Sequence, residues 1–340
     1  MIYEYALEPS LVVDWAIAGI GRCVGQFGLD YRRLVSDFPK DWKGQVYGDF
    51  LARFDYDYGH PNVANTQPTL DAYLQLLTDC MVPRQVALPD DAVWVDEAIR
   101  EHAVRPFHAI FAARQKADPH PDIITEKSVD NIRDERWWLP TVKTTRKSAA
   151  EIGAALRPIL QAASEIHIVD PYFDAGAKRF RETFAEIVRQ ATTLPRAVSS
   201  NPVITLVTGV ERAFKDWEKP TDEEQVKKRL KEEANVAANI AELARRHLTE
   251  LVPPGVTVRL IVLKNATRGD PLHNRFVLTD VGAVIVPYGV DDYDREDDHS
   301  AKDDLTPMPR GMYEERWAQY VIGALANTVA EPVTISGVAS

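Results

Sequence analysis

From Glu8 to about Ala150 the apolar residues recur mostly at helical spacing, as in Leu11, Val12, Trp15, Ala16 and Ile20 and again in Leu70, Tyr73, Leu74 and Leu77. A mainly α-helical N-terminal domain is the expectation over residues 1–147. Asp90-Asp91 marks the start of a helix through Trp94, Ala98, Ile99 and Ala103, which Pro106 ends or kinks near Phe107. Pro119 and Pro121 place a loop between Asp118 and Asp122.

After Ser148 the pattern changes, and residues 148–340 read as an α/β domain. Ile166-His167-Ile168-Val169 is a short strand ending at Asp170-Pro171, and Lys178–Arg189 is a helix with Phe180, Phe184 and Ile187 on one side. Val203–Val207 is a second strand. A long helix follows from Thr221, where Thr221 and Glu224 suggest a capping box, to about Leu251. Pro253-Pro254-Gly255 stops that helix, and Val256–Val262 alternates as a third strand. His273–Leu278 and Ala283–Val286 form a hairpin turned at Thr279–Gly282, and Met312–Ala326 reads as a closing helix.

A chain of 340 residues with 45% apolar side chains has material for two cores. The formal charge of -11 removes any chain-wide positive field, so contact with nucleic acid has to be local. Cys23 and Cys80 stand alone, without metal-type spacing, so neither a disulfide framework nor a zinc cluster is expected. No apolar run approaches a membrane span and the start lacks a basic leader; a soluble, cytoplasmic protein is the expectation.

Local positive charge gathers between Arg133 and Lys147, where Arg133, Arg136, Lys143, Arg146 and Lys147 surround Trp137-Trp138. Such a patch suits phosphate pairing and base stacking by Trp138. The plainer alternative is that the paired indoles pack at a junction between domains.

The residues best suited to chemistry lie in His273-Asn274-Arg275-Phe276-Val277-Leu278-Thr279-Asp280. On a strand, His273 and Arg275 share a face, which aims an imidazole and a guanidinium at the same ligand. Asp280 falls at the turn and suits a side-chain bond to backbone; Asp170, at the end of its strand, stands where α/β sheets place ligands. The acidic run Asp291-Asp292-Tyr293-Asp294-Arg295-Glu296-Asp297-Asp298-His299 reads as a solvated loop, with a divalent-cation contact or a screen against loose polyanions as the alternatives.

This half resembles the phospholipase D-like superfamily, whose signature is His-x-Lys, four residues and Asp, then a glycine segment after the next strand. Here Arg275 replaces the lysine, and Gly289-Val290-Asp291 supplies the glycine segment without the family's usual Asn. Asp170-Pro171-Tyr172-Phe173 after a hydrophobic strand looks like single-copy relatives, including MIT-type C-terminal domains. The resemblance implies phosphodiester cleavage through a phosphohistidine, without a metal or other cofactor. His273 would be the nucleophile or acid and Arg275 the phosphate holder, with Asp170, Asp280, Gly289 and Asp291 in support. One motif supplies one histidine where two are needed, so a homodimer sharing its site is implied. A nuclease of a bacterial defence or antiviral conflict system is the expected function, its helical half recruiting nucleic acid or a protein partner. The alternative is an inactive binding or assembly module of a multi-protein complex.

Overall fold

The computed structural model describes residues 1–89, 91–193, 195–197, 200–210, 213–214, 222–264, 272–293 and 300–337. The expected helix starts at Asp90 and Thr221, and the part of the acidic run from Asp294 to His299, lie outside these residues. Two compact units divide the chain: Met1–Thr141 with Pro195–Ser199, and Val142–Leu194 with Ser200–Ser340. The strand that precedes the expected boundary at 147 therefore belongs with the second unit.

The first unit is built on a sheet, which its helical periodicity did not reveal. Strands β1 (Tyr3–Leu7), β2 (Arg33–Asp37), β3 (Met81–Pro83), β4 (Ala109–Phe111) and β5 (Ile123–Ile124) pair in the order β3-β2-β1-β4-β5. All four pairings are parallel. Helical residues still outnumber strand residues, in α1 (Pro9–Ala18), α2 (Trp42–Ala52), α3 (Pro61–Thr78), α4 (Trp94–Val104) and α5 (Glu126–Asp130). The mainly helical expectation thus missed the element on which these helices pack. Short central strands buried on both faces show no alternation, and β4, Ala109-Ile110-Phe111, is wholly buried.

Helix boundaries follow local chemistry. Pro9 opens α1, where a missing N–H costs nothing, and Gly19 closes it at φ +66°. Trp137 lies fully buried among Tyr5, Phe27 and Phe111, with the Arg33 guanidinium 4.0 Å above its ring. It is a core anchor of the first unit.

Under α4 the same unit buries a charge network. Arg84 is wholly buried and pairs with Glu4 at 2.9 Å and with Glu101, while Arg105 reaches Glu4 at 2.7 Å. Burial raises the Glu4 carboxyl, but the two guanidiniums outweigh it and hold the group below the usual carboxylate range. Nearby, His108 stacks on Tyr3 at 4.1 Å, and burial pushes its imidazole down to about 4.

The second unit carries an eight-stranded sheet in the order β13-β9-β8-β7-β10-β11-β12-β6. Its elements are β6 (Lys143–Arg146), α6 (Ala149–Ala162), β7 (Glu165–Val169), α7 (Lys178–Thr192), β8 (Val203–Gly209), α8 (Glu223–Leu248) and β9 (Thr257–Leu263). Then come β10 (Phe276–Thr279), β11 (Gly282–Ile285), β12 (Lys302–Pro307), α9 (Arg310–Trp317) and β13 (Val333–Ser336). Strands β7, β8 and β9 run parallel through helical crossovers, and the expected hairpin, β10 with β11, docks antiparallel on β7. The α/β expectation for this half holds at that level.

Other differences are local. The long helix is capped by Asp222, which accepts from Gln225 N–H at 2.8 Å, and ends in a 3-10 turn over Thr249–Leu251. The regular part of the closing helix stops at Trp317, widens into a π turn over Ala318–Ile322 and then tightens into a 3-10 turn before β13. Val169, Val207, Phe276 and Leu278 pack beneath Tyr313, Trp317 and Tyr320 of that segment.

Replacing Arg84 by Met is expected to cost about 3–5 kcal/mol, because Glu4 loses one of its two buried guanidinium partners and Glu101 loses its own. Urea unfolding checks this, and adding Glu4→Gln should restore a large part of the loss. A second expectation concerns pH. The unfolded chain protonates His108 below about 6.5, whereas the folded imidazole resists until about 4. Its stabilisation is therefore complete above the unfolded value and is lost as pH falls through that window. Thermal melts of His108→Phe should decline less steeply over this range than those of the parent.

Candidate functional site

Register brings two of the sequence-selected residues of the second unit, Asp170 and Arg275, together. Val169 pairs with Phe276 across the antiparallel β7–β10 ladder, so the next residues outward, Asp170 and Arg275, face each other at its end. The backbone carbonyl of Arg275 accepts from Val286 N–H at 3.0 Å, which ties the lead-in of β10 to the end of β11.

Asp170 is fully buried. Its carboxylate accepts from Tyr172 N–H at 2.9 Å and from Val290 N–H at 3.0 Å, and the Arg275 Nε lies 3.7 Å away. Burial holds this carboxyl above its ordinary range, against the two backbone donors and Arg275, with Asp291 adding to the rise. Arg275 donates from Nη1 to the Pro287 carbonyl at 2.7 Å and lies 4.7 Å from the centre of the Tyr172 ring. One edge of the guanidinium is thus fixed by the protein.

Gly289 makes this approach feasible. Its φ is +90°, and a Cβ there would stand 2.7 Å from an Asp170 carboxylate oxygen and 3.0 Å from Arg275 Cδ. Only glycine satisfies both the backbone and the space.

A second group of charges adjoins the first through Val290-Asp291. The buried Asp291 carboxylate bridges Lys147 Nζ at 2.5 Å and Arg179 Nη1 at 3.4 Å. Backbone bonds from Asp292 N–H to the Arg179 carbonyl and from Tyr293 N–H to the Lys147 carbonyl strap this loop to the starts of α7 and α6. The Asp292 carboxylate also accepts from Ala149 N–H at 2.9 Å, at the positive end of α6. The Tyr293 and Tyr288 rings stand 5.7 and 6.0 Å from the Lys147 ammonium. Three cations, two of them bridged by one carboxylate, and three tyrosines therefore meet beyond the C-terminal end of β7.

His273 is exposed on a turn above the buried Leu272. The strand begins at Phe276 and not at His273, so the alternation rule does not put His273 and Arg275 on one face. Asp280 does bond to backbone, but to the segment that opens β7 and not within its own hairpin, accepting from Ser164 N–H at 3.0 Å and Glu165 N–H at 3.1 Å. It belongs to the opposite end of β10, roughly 16 Å along the strand from Arg275, and so staples the sheet without supporting the Arg275 cluster. His167 is a core histidine, bonded to Glu165 at 2.8 Å with Trp317 against its ring.

The basic-aromatic stretch is divided between the two units. Arg133, Arg136 and Trp138 fall in the first unit, and Lys143, Arg146 and Lys147 in the second. Arg136 is taken up by Asp134 at 2.6 Å and by backbone carbonyls, while the Trp138 indole donates to the Val129 carbonyl at 3.1 Å. Lys143 and Arg146 are exposed on the edge strand β6, three positions apart and hence on opposite faces. Arg133 is exposed. Only Lys147 joins the cluster. Tyr172 and Tyr288 flank residues already singled out, whereas Arg179, in the first turn of α7, carries no local signal.

No protein-family model matches this chain, and no curated protein matches it. No helix among the described residues is long and apolar enough to cross a membrane.

Gly289→Ala is expected to push Asp170 and Arg275 apart and to lower thermal stability by about 1–3 kcal/mol. Calorimetric melting checks the magnitude. A variant that melts with the parent would show that the close approach of the three residues is dispensable.

Proposed function

We propose that this chain is a phosphodiesterase, a nuclease of a bacterial defence or conflict system, working through a phosphohistidine at a site completed by a second copy. The observation that carries this reading is the convergence of Arg275, Lys147 and Arg179 at the C-terminal end of β7, beside the turn that bears His273. The phospholipase D-like resemblance supplies the reaction type, and the cluster supplies groups suited to it.

In this scheme a His273 ring nitrogen attacks phosphorus, forming an N–P bond as the P–O bond to the leaving group breaks. His273 of the second copy gives its proton to the departing oxygen, then takes one from the water that cleaves the N–P bond. Arg275 offsets charge on the non-bridging oxygens with its outward edge. Two copies about a twofold axis would bring the imidazoles to one phosphorus.

A second reading has an observation of its own. Asp291 already occupies Lys147 and Arg179, and Asp170 lies beside Arg275, so an entering phosphate competes with internal carboxylates. That balance suits reversible recognition of a phosphate-bearing ligand by an inactive module.

Purified protein assayed on single- and double-stranded DNA and RNA in EDTA separates the two. The nuclease reading expects cleavage that drops at least about 100-fold in His273→Ala, and mixed dimers with one altered copy that are inactive. Cleavage unchanged in His273→Ala rejects it. Salt-sensitive oligonucleotide binding without turnover supports the module.

A further inference from the structure

The first unit contains a cavity at the place where its sheet changes direction. Strands β1, β2 and β3 proceed one way, and β4 returns to the other side of β1. Parallel sheets bind ligands in the crevice beyond the carboxyl ends of strands at such a switch. A cavity of about 350 Å³ lies there, lined among others by Glu8, Ser10, Gln45, Asp49, Leu88 and Trp94. This volume falls at the small end of ligand sites.

Glu8 is built into the switch point. Its N–H donates to the Phe111 carbonyl at 2.9 Å, and its carboxylate accepts from Ala113 N–H at 2.7 Å and the Ser10 hydroxyl at 2.8 Å. A backbone N–H from beyond β4 and a side-chain hydroxyl from the start of α1 thus hold one carboxylate from the two sides of the switch. Gln45 and Asp49 stand one turn apart on α2, on the same face. Arg53, whose charge acts on Asp49, is engaged with Asp14 at 2.8 Å. Burial, with Glu8 and Asp14 nearby, holds the Asp49 carboxyl above its ordinary range despite Arg53.

The same geometry excludes the usual occupant of such crevices. A dinucleotide places its pyrophosphate on glycine-loop and helix N–H groups after the first strand. Here that position carries Glu8-Pro9-Ser10, a carboxylate followed by a residue without an N–H, and among the described residues no basic side chain lines the cavity. Phosphate would meet like charge. The Trp94 indole and Leu88 supply an apolar wall, and an indole face attracts cations.

We propose that this crevice binds a small organic amine, its ammonium held between Glu8 and Asp49 and its apolar body against Trp94 and Leu88. The inference is independent of the phosphodiester site.

Calorimetric titration of the full chain with tryptamine, tryptophol and indole-3-acetate tests it, because the three share a ring and differ in charge. Tryptamine is expected to bind at one site per chain, tryptophol at least 10-fold more weakly, and indole-3-acetate not at all. Asp49→Asn should weaken tryptamine about 10-fold. Gln45→Lys, which places a cation in the crevice from a half-buried position, should abolish binding while thermal melting stays unchanged. Equal binding of all three ligands overturns the proposal, as does tryptamine affinity untouched by both substitutions. Failure of both tryptamine and the smaller tyramine to bind also overturns it.

Discussion

The antiparallel pairing of β10 with β7 decides what the second unit can do. Val169 opposite Phe276 leaves Asp170 opposite Arg275, and both sides of the ladder are buried at Val277, Leu278, Ile168 and Val169. A slip by one residue would turn Phe276 and Leu278 out of their core and carry Arg275 away from Asp170. Hydrophobic burial therefore sets the position of a guanidinium that contributes little to the burial itself. Asp280 reinforces the register from the far end, where its carboxylate accepts from the backbone that opens β7.

Around that fixed pair, the loop after β11 behaves as a strap. Gly289 permits the close passage, Val290 N–H satisfies Asp170, and Asp291 gathers Lys147 and Arg179 from two different helix starts. The arrangement places positive charge beyond the strand ends of the sheet, in a chain of net charge -11, without leaving those cations unneutralised. Under the proposed reading an anionic ligand would have to displace Asp291 from Lys147 and Arg179, so the site would be selective without being strongly attractive at long range.

The first unit solves a different problem with the same kinds of group. Its sheet buries Glu4, Arg84 and Arg105 as a mutually compensating set beneath α4. At the switch point Glu8 and Asp49 have no such basic partner among the described residues that line the cavity. The contrast separates carboxylates that hold the fold from carboxylates that are left with capacity to bind.

Much of this was legible from residue order. The βα pattern after Ser148, the hairpin of β10 and β11, the backbone role of Asp280 and the selection of Asp170, Arg275, Gly289 and Asp291 all rest on periodicity, turn chemistry and motif spacing, which are local. The sheet of the first unit was not legible, because strands as short as Met81–Pro83 and Ile123–Ile124 carry no period, and parallel pairing joins segments far apart in the chain. Nor could residue order separate Trp137, a core anchor, from Lys147, a site residue, since both stand in the same basic stretch. Arg179, Tyr172, Tyr288 and Tyr293 entered the cluster only through the packing of helix starts and loops at the strand ends. By itself the sequence determined element types and the residues capable of chemistry, since those depend on neighbours a few positions away. Which of those residues meet was decided by the tertiary structure, because strand register and helix docking are set by burial of side chains that take no part in the chemistry.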